Sequence, residues 1–284
     1  MKPTVRSLSP SAVARRPWRL PGIGLLGTLA LTFFVMFPIV WITLSAFKNE
    51  ADVRTTKVFF EPTFENFRII FDRFEFGGML WNSVVVCVGV TLVTVPLATL
   101  GAFSLARYPI PFKRALLVTI LATQFFPPVV LVLPYFTLFR DLSLLDTYTA
   151  LILINLTRTI PFCIWLMYGF FDGLPKEIEQ AARVDGASEW AVVRRVVAPL
   201  ARPGIVTSSI FAFILAWNEF LYAFLIGTRN TRTAIVGLVN TVGERDVMWE
   251  QMSAAGIFVM IPMLVMAFAI RRYFVDGITM GAVK

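Results

Sequence analysis

The chain contains no histidine and only two cysteines among 284 residues. Lacking His, it lacks the commonest general base and metal ligand, which argues against a catalytic triad or a metal centre. Cys87 and Cys163 both fall inside apolar runs, where neither a secreted disulfide framework nor a thiolate metal site is spaced. Charge is scarce as well. Charged residues make up 15% of the chain, against about a quarter in a soluble globular protein. No G-x-x-x-x-G-K-[ST] loop is present, so the chain is not expected to bind ATP itself, and no cofactor is expected.

What the chain has is apolar length. Hydrophobic residues make up 57%, with 27 Phe and 7 Trp, and they gather in runs of about twenty or more, enough for a helix to cross a hydrocarbon core of about 30 Å. These runs predict an all-α integral membrane protein, a six-transmembrane-helix bundle. Its spans fall at roughly 20–47, 79–105, 115–138, 148–170, 204–227 and 252–271. A basic tail at 1–19 precedes a single transmembrane domain at 20–284, whose longest polar loop is 171–203. The Arg-rich start also fits a secretion signal, but the apolar stretch after it is too long for a signal core, which favours an uncleaved first span.

The net charge of +8 is placed as a topology signal. Segments assigned to one side hold sixteen Lys/Arg: the N-tail, the 107–114 turn, the 171–203 loop and the C-tail. The opposite loops hold nine, five of them in the 48–78 loop beside six acids. By the positive-inside rule both termini are expected in the cytoplasm, with membrane lipid as the surroundings and no nucleic acid as partner. The 48–78 loop carries seven Phe. It reads either as an interfacial helix or as a surface for an extracytoplasmic partner.

Helix breakers fall inside several spans: Pro127 and Pro128 in the third, Pro161 in the fourth and Pro262 in the sixth. A proline frees a carbonyl one turn earlier, and in lipid that group needs protein or water, so such helices are expected to face a bundle interior. Two charges lie within spans. Arg158 is about 15 Å and Glu219 about 12 Å from the outer ends at 1.5 Å per residue. Similar depth allows an ion pair, and a lone charge there is costly. The pair reads either as a structural lock or as lining of a hydrophilic pathway. Asn155, Thr157 and Thr159 flank Arg158; Trp217 and Asn218 precede Glu219; Gln124 lies one turn before the Pro127–Pro128 break. Amides, hydroxyls and an indole face suit a polyhydroxylated solute, and they suit interhelical hydrogen bonding equally well.

The 171–203 loop is built otherwise. Pro175 fits a first helical turn, Glu177 and Glu179 favour its positive end, and Ile178, Ala181 and Ala182 share one face. Gly186 is placed to end the helix in the left-handed conformation. A second short helix follows, with Trp190, Val193 and Val197 on one face, up to Pro199 and Pro203. A surface helix on lipid is the alternative, but such helices carry a richly basic polar face. Here five basic and five acidic residues are balanced, which favours a protein partner.

These residues resemble the membrane (permease) subunits of binding-protein-dependent ABC sugar importers of the maltose type. The resemblance extends over nearly the whole chain from about residue 20. Its core is Glu179-Gln180-Ala181-Ala182-Arg183-Val184-Asp185-Gly186-Ala187-Ser188, similar to the EAA loop, with Pro199-Leu200 at the matching distance. Trp165 to Phe171, Trp217-Asn218-Glu219-Phe220 and the ending Phe274 to Lys284 add to it. Two departures stand out: Gln180 where the family carries Glu, and Ala198 where it carries Leu.

The resemblance implies the type I importer fold, and a coupling helix (Glu179, Gln180, Ala181, Ala182, Asp185, Gly186) docking on a dimer of ABC ATPase subunits. It also implies a second permease subunit, an extracytoplasmic sugar-binding protein, and a bacterial inner-membrane location. Gln124, Asn155, Arg158, Trp217, Asn218 and Glu219 are then the substrate-pathway candidates, and the chain is expected not to be an enzyme. An ion-coupled secondary transporter using Glu219 as proton carrier is the alternative. The six spans, the absence of an evident internal repeat and the docking loop weigh against it.

Overall fold

The computed structural model describes residues 22–239, 241 and 246–281, with side chains from residue 25 to 270. The basic tail at 1–19, Arg245 and residues 282–284 lie outside the described residues, as do the side chains of Arg271, Arg272 and the closing motif. Two compact units make up the chain, one through Ile42 and one from Thr43. Every regular element of the described residues is helical.

The first helix, α1 (Gly22–Ser45), runs through Pro38 without a break. In the second unit, α2 (Glu50–Val53) and α3 (Glu65–Asp72) lead into α4 (Phe76–Arg107), of 32 residues. Next come α5 (Lys113–Ala122), a 3-10 turn at Thr123–Phe125, and α6 (Pro128–Asp141). The helix α7 (Tyr148–Asp172) is followed by α8 (Lys176–Val184), α9 (Glu189–Val192), a π turn at Val193–Val197 and α10 (Ala198–Leu200). Last come α11 (Arg202–Trp217), α12 (Leu221–Ile226), α13 (Ala234–Val239) and α14 (Trp249–Gly281).

Among the described residues, four helices are long and apolar enough to cross a membrane: α1, α4, α7 and α14. The count reaches six when each of two bent pairs is one span. One pair is the segment Lys113–Phe125 with Pro128–Asp141, bent by 88°. The other is Glu189–Leu200 with Arg202–Trp217, bent by 78°. The first bend follows from sequence. A residue before proline is driven out of the α region, and Phe126 (φ −69°, ψ 123°) and Pro127 (φ −62°, ψ 128°) are both extended. Pro128 then restarts the helix at its first turn, where no N–H is needed.

Expectations about the other breakers need correcting. α7 and α14 run on through Pro161 and Pro262. The expected fifth span at 204–227 is instead broken, between Trp217 and Leu221.

The second unit is organised on α4, α7 and α11, which pack against one another, with α14 against α11 and α3. Side chains cluster in layers along α4. Phe76 joins Ile70, Ala254 and Ala255 at its start. Val86, Cys87 and Val90 join Leu151, Ile154 and Trp217 at its middle. Ala102, Phe103 and Ala106 join Met167, Phe171, Val192 and Val197 near its end. Small residues let these helices approach closely: a Cβ on Gly204 of α11 would lie 2.6 Å from the Phe170 ring of α7.

The Phe-rich segment after residue 48 is a packed cap. Phe67 and Phe71 set their rings edge-on to Phe258 of α14 at 6.1 and 5.1 Å. Buried Asn66 donates to the carbonyls of Ala46 and Lys48. Phe59 and Phe64 stay exposed.

A second polar anchor sits beyond α12. Asp146, at positive φ, accepts hydrogen bonds from the backbone N–H groups of Thr228, Arg229, Asn230 and Thr231. Asn82 donates to the carbonyls of Asn230 and Arg232, and Ser83 accepts the amide of Ala234. Together they draw the connection between α12 and α13 back onto α4.

Candidate functional site

The bend between α5 and α6 opens a cavity of about 350 Å³. Gln124 and Phe126 come from the bend, Tyr135 from α6, Thr157, Arg158 and Pro161 from α7, and Tyr222 from α12. Tyr135 and Tyr222 meet edge to face at 6.0 Å. The wall therefore combines a guanidinium, an amide and two phenols with apolar ring faces. That set can hold a hydroxyl-bearing solute by hydrogen bonds at its edge and by contact at its faces.

Of the six pathway candidates, Gln124 and Arg158 line this cavity. Trp217 is 2% exposed; its ring stacks on Phe213 at 5.7 Å and its indole N–H donates to the Val259 carbonyl at 3.2 Å. It pins α11 to α14 and offers no free face for a solute. Asn155 is buried too. Its side-chain amide donates to the Leu151 carbonyl at 2.8 Å, and its backbone carbonyl accepts from the hydroxyl of Thr159, which meets that of Thr94 on α4 at 2.7 Å. Asn218 is exposed and folds back to donate to the Ile214 carbonyl at 2.9 Å.

Glu219 differs most from its expected role. Its carboxylate is committed to backbone amides rather than to a salt bridge with Arg158. Its two oxygens accept the amides of Tyr222 at 2.8 Å and Ala223 at 2.9 Å. Those are N–H groups of the first turn of α12, which have no partner inside the helix. A carboxylate there meets the positive end of the helix dipole. The Trp217–Phe220 stretch is thus a built-in break, closed by the glutamate that follows α11. Tyr135 and Tyr222 are cavity residues that the sequence pattern did not single out. Neither belongs to a polar run, and only the bend and the break bring them together.

At the far end of α4 stands the second candidate site. Pro175 precedes α8 at the N-cap position, one residue before the expected first turn. At the other end Gly186 has φ +83°. Its amide donates to the Arg183 carbonyl, and that of Ala187 to the Ala182 carbonyl, which together close a Schellman motif. Gln180, Ala181, Asp185 and Gly186 are exposed, and Ala182 is half-buried. Ile178 at 43% and Val184 at 87% exposure flank Ala181, so the outward face is apolar and shallow.

Glu179 faces the other way. It is 2% exposed and takes the Arg107 Nε at 2.6 Å. The second short helix also differs from expectation: Val192, just before the π turn, and Val197, at its end, are buried, while Trp190 is 64% exposed.

Bent apolar helices around a polar cavity, with a small-residue helix presented at one end, are the build of an importer's membrane component. Residues 94–280 match the family described as "Binding-protein-dependent transport system inner membrane component". The chain is 36% identical over 258 residues to a probable ABC transporter permease of Sinorhizobium fredii, covering 89% of this chain and 92% of the relative. It is 35% identical over 257 residues to the trehalose transport system permease of Mycobacterium tuberculosis, covering 88% and 93%. Among solved structures it resembles a chain of a bacterial ABC transporter involved in the import of the acidic polysaccharide alginate. That match has a TM-score of 0.75 and 24% identity, over 91% of this chain and all of the other. The chain belongs to the binding-protein-dependent transport system inner membrane component family, a family of transport components rather than enzymes, and its fold is that of an ABC importer permease.

Proposed function

We propose that this chain is one transmembrane half of an ATP-driven importer that carries a sugar or sugar derivative delivered by an extracytoplasmic binding protein. A second permease subunit forms the other half, and a pair of ATPase subunits docks beneath. In this reading both termini and α8 lie in the cytoplasm of a bacterial inner membrane. The charge bias supports that orientation, since sixteen Lys/Arg lie in the segments so assigned. The observation that carries the proposal is α8 itself: a short helix with an exposed face of Ile178, Ala181 and Val184, ended sharply at Gly186. A face with so little relief admits close approach by a partner's groove, and exposed apolar surface of this kind marks an interface.

Docking supplies the force and the cavity supplies the route. ATP-driven closure of the ATPase pair displaces α8, and the bundle rocks about the site, a rigid-body transition between packed states. Arg158, Gln124 and the Tyr135–Tyr222 pair then present donors and ring faces to a passing polyol. Glu219 contributes by holding α12, and with it Tyr222, at the cavity wall. The class of cargo rests on relatives such as the trehalose permease.

Uptake of labelled trehalose by cells with and without the gene tests the proposal. Uptake is expected to disappear on deletion and to persist when a protonophore collapses the membrane gradient while ATP is maintained. Uptake that stops with the gradient contradicts an ATP-driven importer and restores the ion-coupled transporter.

A further inference from the structure

The last turn of α4 grips α8 through buried charge. Arg107 and Glu179 have side chains only 5% and 3% exposed, and Nε donates to Oε1 at 2.6 Å. The same guanidinium donates from Nη2 to the Leu174 carbonyl at 3.2 Å, at the turn that enters α8. One arginine therefore holds both the helix and its hinge. From Glu179 the contacts continue: Arg183 lies 3.9 Å from its second oxygen and makes a two-point bond to Glu189, at 2.7 and 3.1 Å. The end of α4 thus engages α8 directly, and through Glu179 and Arg183 the contacts run on to the first residue of α9.

We propose that the Arg107–Glu179 pair is the joint through which displacement of α8 reaches the membrane-spanning bundle, with both as positioning residues that move α8 and α4 as one body. This rests on the reading of α8 as the ATPase-docking helix. Physical chemistry favours a joint over a mere stabilising contact. A buried ion pair gives little net stability over an apolar filling, yet breaking one partner is strongly unfavourable, so the two helices resist separation. The forked guanidinium fixes orientation as well as distance. The joint also sits at the right place: α4 packs along α7 and α11, and α7 carries Arg158 of the cavity. Glu179 stands beside Gln180, so one side of α8 faces the bundle while the next residue faces the partner.

The test uses the full complex purified with its ATPase in lipid nanodiscs. Spin labels are placed at Lys176 on α8 and Leu97 on α4, both exposed. With the natural pair, their separation should stay within about 2 Å between nucleotide-free and ATP–vanadate states, as for parts of one rigid body. In Glu179→Gln the distance should shift or broaden, ATP hydrolysis should continue, and trehalose uptake per ATP should fall about tenfold, a loss of coupling in the usual range. Arg107→Lys, which keeps the charge and loses the fork, should fall between.

A label distance in the natural protein that changes by more than about 5 Å with nucleotide overturns the joint, since the helices then move separately. So does an unchanged uptake-to-hydrolysis ratio in assembled Glu179→Gln complex. If that variant fails to assemble, the distance in the natural protein still decides. Failure of any ATPase to purify with the natural chain contradicts the docking reading instead.

Discussion

Glu219 commits both carboxylate oxygens to the first amides of α12, and its replacement tells capping from ion pairing. Glu219→Ala should cost about 1–2 kcal/mol, the usual range for a lost helix cap, seen as a lower thermal unfolding temperature in detergent. Glu219→Gln, with one acceptor oxygen left, should cost less. Because the cap also holds Tyr222 at the cavity, transport and membrane abundance should decline together. A transport defect at full stability would point back to a partner role for Arg158.

Asp146 makes a second residue-scale prediction. Burial opposes its charge, but the amides of Asn230 and Thr231, the Thr231 hydroxyl and the Arg229 amide outweigh it and hold the carboxyl below its ordinary range. A lowered folded-state pKa gives stability that is present above the unfolded value, about 3.9, and is lost as pH falls through the lower folded value. Hydrogen exchange at residues 228–231, corrected for intrinsic rates, should stay slow from neutral pH down to about 4 and quicken below. Asp146→Asn should quicken it at neutral pH; equal protection in both proteins contradicts the anchor.

Residue identity told chemistry from sequence, but not direction. Trp217, Asn155 and Glu179 carry functional groups suited to a site; Trp217 and Glu179 are turned inward by contacts with distant segments, and Asn155 is buried and bonded within its own helix. Arg107 counted in sequence as one more cytoplasmic charge, and its buried partner lies 72 residues away.

At the scale of elements, α8 is the most legible part. Its start at a proline, its alanine face and its end at Gly186 are local chemistry, set within one or two turns. Gly186→Pro should unmake the end, because proline holds φ near −65° where +83° is required, and because it removes the amide that bonds Arg183. Hydrolysis should then run without uptake in a chain that still inserts, and normal uptake would contradict the coupling role. The helix ends α11 and α12 were illegible by comparison. No proline or glycine marks the break at 218–220; the carboxylate that caps α12 does. Conversely Pro161 and Pro262 looked like breaks, and α7 and α14 pass through them because packing against neighbours holds the flanking turns. Gly204 at the α7–α11 crossing should not tolerate a side chain. Gly204→Ala places a Cβ 2.6 Å from Phe170, and overpacking of this kind costs typically about 1–3 kcal/mol, measurable as loss of folded protein in detergent.

For the whole molecule, composition and apolar length gave the class, because lipid leaves a chain little choice but helices. The bends of 88° and 78° turn a count of six apolar runs into four long helices and two broken ones. Those bends are where the cavity opens and where α9 and α10 turn into α11. Composition and pattern pointed to a protein partner at the 171–203 loop, but which proteins assemble there is what one experiment reaches. That experiment is purification of this chain from native membranes in mild detergent, with mass spectrometry of everything retained. An ABC ATPase, a second permease and, when solute is present, a sugar-binding protein are expected to be retained. Recovery of this chain alone, under conditions that keep a known importer intact, would contradict the proposed function.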